Sequence, residues 1–127
     1  MEKSAFQFSD PQMVSLEFSA NNGFVMDEFK GFDINSRISN AIVEENKEAF
    51  VRLDLTIGKR GTAAPFVCKI GMMARFAVEQ EVSPDEFQKF LDINAPALLM
   101  SYTRPIVSFV ASQAGFASFN IPFMNFT

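Results

Sequence analysis

Apolar and polar positions alternate most regularly in the middle of the chain, over residues 49 to 57. Ala49, Val51, Leu53, Leu55 and Ile57 share one face, while Phe50, Arg52, Asp54 and Thr56 share the other. That period of two predicts a strand buried on one side. Gly58, Lys59, Arg60 and Gly61 make a turn, and a return strand follows over 65 to 79. Its face of Phe66, Cys68, Ile70, Met72, Ala74, Phe76 and Val78 is unbroken and apolar, with Lys69, Gly71 and Arg75 opposite, beside Val67 and Met73. The pair reads as an antiparallel hairpin with one dry face. Weaker alternation over 13 to 20 predicts a strand with Val14, Leu16 and Phe18 together, ended by Asn21, Asn22 and Gly23. A polar strand is expected over 32 to 43, closing in the charged turn Glu44, Glu45, Asn46 and Lys47.

The period then changes. Ser83 suits a helix N-cap, Pro84 the first turn, and Glu86 the closing position of a capping box. Phe87, Phe90 and Leu91 form the apolar stripe of that helix. Pro96 opens a second helical segment in which Leu98, Tyr102, Ile106, Phe109 and Val110 recur at helical spacing. Pro105 inside it removes a backbone hydrogen bond and should bend it, and Gly115 is a natural C-cap. Four strands followed by helices predict one α+β domain over residues 1–127, with helices on one face of a four-stranded antiparallel sheet. The helix stripe should cover the apolar face of the return strand. Because Leu98, Leu99 and Met100 make the helix apolar on more than one side, a second subunit or the C-terminal segment is expected to cover the remainder.

Composition narrows the function. A chain of 127 residues buries enough surface to fold without disulfides or metal, and a single cysteine, Cys68, excludes an intrachain bridge. There is no histidine, which removes the usual general base and the commonest transition-metal ligand. The carboxylates Glu44, Glu45, Glu79, Glu81, Asp85 and Glu86 read as solvated turn and cap residues, so neither metal nor cofactor is expected. Tyr102 and Arg104, two apart on a helix, face different ways and make no catalytic pair. A net charge of −4 argues against nucleic acid. The polar N-terminus lacks a signal-peptide pattern and the apolar runs are too short to span a bilayer, so a cytoplasmic location is expected. The Asn125, Phe126, Thr127 glycosylation pattern is then fortuitous.

Sixteen phenylalanines stand beside one tyrosine and no tryptophan. Most belong to a core, but Phe24, Phe29, Phe32, Phe116 and Phe119 lie in stretches rich in glycine and asparagine that read as loops. Aromatic rings in loops leave apolar surface open, and such patches mark interaction sites. The chain reads as a binding protein with no enzymatic apparatus.

Asn94, Pro96, Leu98, Tyr102 and Arg104, then Gly115 and Phe116, then Asn120, Pro122, Phe123, Asn125 and Phe126 resemble the SecB family of export chaperones. That family has a Pro-led helix with a Tyr followed at two residues by Arg, a short turn with Phe, and a Leu-Pro-like segment closing on Asn-Phe. The hairpin around Pro65, Phe66, Val67, Cys68, Lys69 and Ile70, and the strand of Val14, Ser15, Leu16 and Glu17, are also similar, so the likeness spans about residues 13 to 126.

The resemblance implies a long helix on a four-stranded sheet, assembled as a dimer of dimers with helices sandwiched between sheets. It implies a holdase that keeps unfolded polypeptides from aggregating without ATP. Positions matching Cys68, Ile70 and Met72 bear on subunit assembly, and Phe29 or Phe32 matches a large aromatic bordering the client groove. The surface meeting the SecA motor would include Glu17, Val67 and Lys69. There the family uses acidic residues; Glu17 keeps one, Met13 stands in place of another and Lys69 replaces a third, which weakens the expected contact. The family's zinc belongs to SecA. The family also continues past Asn-Phe into a second helix and an acidic tail, whereas this sequence stops at Thr127, so a shallower client site is expected. Two alternatives stay open: a chaperone dedicated to one toxin–antitoxin partner, and a small-ligand carrier or structural oligomer with a Phe-lined cavity.

Overall fold

In the computed structural model, which describes residues 6–21, 31–59, 61, 64–80 and 82–116, the central hairpin forms as the alternation predicts. Strand β4 (Glu48–Ile57) lies antiparallel to β5 (Phe66–Val78), with Leu53 opposite Met72, Leu55 opposite Ile70 and Ile57 opposite Cys68. Every residue of those pairs is buried. Burying one such aliphatic side chain stabilises the fold by about 1.5–3 kcal/mol, so this face anchors the domain. Strand β3 (Ile34–Glu44) pairs with β4, and the connecting turn places Asn46 in the left-handed region, at φ 59°.

The opposite edge of β5 departs from expectation. It carries two strands end to end: β1 (Phe6–Phe8) opposite Phe76 to Val78, and β2 (Gln12–Ala20) opposite the rest. The sheet therefore has five strands, not four, in the order β1-β5-β4-β3 with β2 also on β5. Strand β1 is only three residues long, too short for a periodic signal, and tertiary contact holds it there. The ring of Phe6 stacks on Phe90 at 3.8 Å, and Ser9 exchanges hydrogen bonds with the Arg75 backbone. A register shift between Met13 and Ser15 leaves Val14 in an irregularity instead of sharing a face with Leu16 and Phe18.

Helix α1 (Pro84–Lys89) starts where predicted, with the Ser83 hydroxyl accepting the Glu86 N–H at 3.1 Å. Pro96 does not start a separate helix. The chain runs from α1 through a π-helical turn at Phe90–Asn94 directly into α2 (Ala95–Gln113). A wider turn suits this position, because Pro96 has no N–H to donate and its ring would crowd the carbonyl four residues back. Helix α2 also spans Pro105.

The buried stripe of α2 is a second correction. Leu99, Thr103, Val107 and Ala111 face the sheet, whereas Tyr102 and Phe109 are exposed and Leu98, Ile106 and Val110 half-buried. The sheet face presents Phe66, Phe76, Leu53, Leu55 and Ile70, and the helix closes over it with Leu99, Met100, Val107 and Ala111. The buried hydroxyl of Thr103 is satisfied by donating to the Leu99 carbonyl at 2.8 Å.

Candidate functional site

Phe66 opens β5 and is 1% exposed. Three rings pack around it: Phe18 of β2 at 5.0 Å, Phe32 at 4.8 Å and Phe116 at 5.2 Å between centroids. Such pairs contribute about 0.5–1.5 kcal/mol each beyond area burial. All three outer rings are only partly buried, so the cluster has a dry centre and an open rim. Phe32 is positioned by the neighbouring Asp33 carbonyl, which accepts the Gly58 N–H at 2.8 Å. Phe116 is delivered by the end of α2, where the Phe116 N–H donates to the Ala111 carbonyl at 2.9 Å and the Gly115 N–H to Ser112 at 3.1 Å. This paired closure requires a positive φ, and Gly115 adopts +91°.

Of the five loop phenylalanines read from the sequence, the structure brings Phe32 and Phe116 together; Phe24, Phe29 and Phe119 lie outside the described residues. Phe18 and Phe66 read from the sequence as strand core, and only packing between distant segments makes them part of the cluster. A second aromatic group, Phe6, Phe8, Phe76 and Phe90, sits near β1.

Cys68, Ile70 and Met72 lie on the dry face of β5, buried within the chain's own core and at most 2% exposed. Burial raises the Cys68 thiol from 9.0 to about 11, which keeps it neutral near pH 7.

Glu17, Val67 and Lys69 lie on the opposite, outer face of the sheet. Lys69 stands directly opposite Glu17 on β2 and Thr56 on β4. Asp54, a candidate partner for Lys69, instead lies opposite Gly71 and binds the Arg52 guanidinium at 3.0 Å. A Cβ at Gly71 would fall 2.9 Å from the Arg52 guanidinium and 2.7 Å from the Ser15 hydroxyl, so the glycine makes room for this polar cluster. Two open depressions of about 610 and 510 Å³ share Thr56 and Lys69. Among the described residues, no cluster of three His, Cys, Asp or Glu side chains could hold a metal ion, and no helix is long and apolar enough to cross a membrane.

Residues 13–127 match the family model of SecB, the preprotein translocase subunit. This chain belongs to the SecB family.

A stretch of 64 residues, 49% of this chain, is 30% identical to the protein-export protein SecB of Anaplasma phagocytophilum. The chain spans only 40% of the length of that curated relative. Among solved structures, the SecB-like chaperone of Mycobacterium tuberculosis in complex with a peptide from the HigA1 antitoxin superposes with a TM-score of 0.69 at 14% identity, covering 95% of this chain and 91% of the other. A protein of unknown function from Streptococcus agalactiae gives 0.54 at 18% identity, covering 93% and 97%. The α+β fold, an antiparallel sheet with one long helix, is that of the SecB-like chaperone. Within this SecB frame the outer sheet face is mixed in charge. Arg37, Arg52, Lys69 and Arg75 stand among Glu17, Glu48 and Asp54, and Arg75 is paired with Glu48.

Proposed function

We propose that this SecB-family chain is a holdase, an ATP-independent chaperone that captures unfolded polypeptide segments in the cytoplasm. The observation that carries the proposal is the open rim of Phe18, Phe32 and Phe116 around Phe66. Rigid aromatic anchors supply adaptable apolar contact without demanding one sequence. Family membership supports it, as does the related chaperone solved with a bound peptide. No catalysis is part of the proposal. The outward stripe of α2, with Phe109 64% exposed and Tyr102 41%, supports assembly into dimers or tetramers through that helix.

Export and service to one dedicated partner remain distinct readings. The curated relative is named for export, whereas the Mycobacterium neighbour holds an antitoxin peptide. Lys69 beside Glu17 favours the dedicated reading, because it removes acidic character from the face proposed to meet a basic motor. The test is suppression of aggregation of a chemically unfolded client, without nucleotide. Protection by the wild type and a marked loss in the double variant Phe32→Ala, Phe116→Ala is expected; no protection by the wild type sinks the holdase reading.

A further inference from the structure

The alternation that buries Val51, Leu53 and Leu55 turns Phe50, Arg52 and Asp54 to the outer face of the sheet, away from α2. A phenylalanine ring is out of place among those polar side chains, and Phe50 stays 38% exposed. Its direct neighbours across the ladders are Ala41 on β3 and Arg75 on β5, and the half-buried Met73 lies one pair further along. Ala41 is too small to cover the ring. Phe50, Met73 and Ala41 therefore make a small apolar patch on the side of the sheet that the helix leaves open.

Three guanidinium groups run past this patch. Arg37 on β3 stands opposite Asp54, Arg52 on β4 stands opposite Met73, and Arg75 on β5 stands opposite Phe50. Each arginine is thus one strand over and two residues along from the last, a step of about 8 Å from the strand spacing and rise. Phe50 lies on one side of this oblique line and Met73 on the other. Arg75 is paired with Glu48 and Arg52 with Asp54. Asp54 is thereby engaged, and among the described residues Arg37 forms no ion pair. The patch carries three cations against two carboxylates, in a chain whose net charge is −4. The remainder of the chain is therefore net acidic, and its field turns an acidic partner away from other surfaces and toward this one.

We infer that this patch docks an acidic segment of another protein, one in which carboxylates flank large apolar side chains. Its carboxylates supply Arg37 with a partner and add to those already on Arg52 and Arg75, while its apolar side chains cover Phe50 and Met73. Arginine suits such a contact, because its planar fork binds carboxylates in pairs and its face stacks on rings. Charge complementarity selects this occupant over a second copy of the chain, since two copies meeting here would set arginine against arginine. The surface is separate from the aromatic cluster, which lies on the helix side around Phe66. It is also separate from Glu17, Val67 and Lys69, because Lys69 lies six positions back along β5 from Arg75, about 20 Å at the rise of a strand.

The probe is a fluorescein-labelled peptide of about twelve residues repeating Glu-Glu-Phe, titrated into the full chain at low salt and read by anisotropy. Saturable binding is expected, weaker by roughly tenfold or more when glutamine or lysine replaces the glutamates. Arg37→Glu should weaken it roughly tenfold and Phe50→Ser roughly fivefold, whereas Arg37→Lys should stay within about threefold. Both positions are exposed, so the fold should hold by circular dichroism and protection of an unfolded client should be unchanged. The double variant Phe32→Ala, Phe116→Ala should bind the acidic peptide as tightly as the wild type. Loss of binding in that double variant instead shows the peptide entering as a client and overturns the docking surface. No binding by the wild type overturns it too, as does binding indifferent to the charge of the peptide or to Arg37→Glu. A change of mass in light scattering on Arg37→Glu, with peptide affinity kept, places a second copy on this face and equally overturns the inference.

Discussion

Phe116 rests on Phe66 at 5.2 Å and 48° between ring planes, and it gets there because the chain reverses at Gly115. Among the described residues beyond its immediate chain neighbours, no atom lies within 4 Å of a Cβ built on Gly115, so its constraint there is backbone conformation. Gly115→Ala should therefore cost about 1 kcal/mol, lowering the thermal midpoint by about 3–6 °C. Protection of an unfolded client should fall with it as Phe116 leaves the cluster. Gly115→Asn, which tolerates the left-handed region, should recover most of both. Thermal melts beside an aggregation assay check this.

Substitutions at Ile70 and Phe109 should separate folding from the proposed assembly. Ile70→Asp would place an unpaired charge at a site 2% exposed, at a cost of several kcal/mol. Loss of the fold is expected, seen by circular dichroism, instead of clean dissociation of subunits. Phe109→Glu changes an exposed helix position and should keep the fold while shifting light scattering toward the 14.2 kDa monomer. A wild type that is itself monomeric at micromolar concentration removes the assembly proposal.

Cys68 makes stability depend on pH in a definite direction. Its folded value, about 11, lies above its usual 9.0, so between those values the folded chain holds the proton more tightly than the unfolded chain. The contribution is complete below pH 9 and is lost as pH rises toward 11, amounting to about 2–3 kcal/mol at most. Urea melts at pH 8, 9 and 10 should show stability falling more steeply for the wild type than for Cys68→Ala. Thiol reagents at pH 8 should modify Cys68 only as fast as the core opens.

Lys69→Glu would set two acidic residues directly across from each other, since Glu17 is its partner on β2. The stability loss should stay below about 1 kcal/mol, because both groups are exposed. Affinity for a SecA motor is expected to be weak or absent in the wild type, to rise in the variant and to fade with added salt. Calorimetric titration at two ionic strengths reads both effects. Tight wild-type binding left unchanged by the substitution would place the contact on another surface.

The strands β4 and β5 were legible because each buries one face almost throughout, with only Val78 at the end of β5 partly open, and that forces strict alternation. The start and end of the helical region were legible because Ser83 and Gly115 satisfy or shape backbone groups within a few residues. Local chemistry of this kind is written in adjacent positions. Strand β1 was not, since three residues carry no period and the stacking partner of Phe6 lies at Phe90.

Which face of α2 turns inward was equally hidden. Of its strongest apolar spacing, Tyr102 and Phe109 are exposed while Leu98 and Ile106 only flank the core, and the fully buried positions are Leu99, Thr103, Val107 and Ala111. The sequence by itself determined the α+β class, the dry face of the central hairpin and the family. Tertiary structure alone decided that Lys69 faces Glu17 and that Phe18, Phe32 and Phe116 meet on Phe66. Periodicity reports only whether a side chain avoids water, whereas packing between distant segments determines which neighbour it avoids water with.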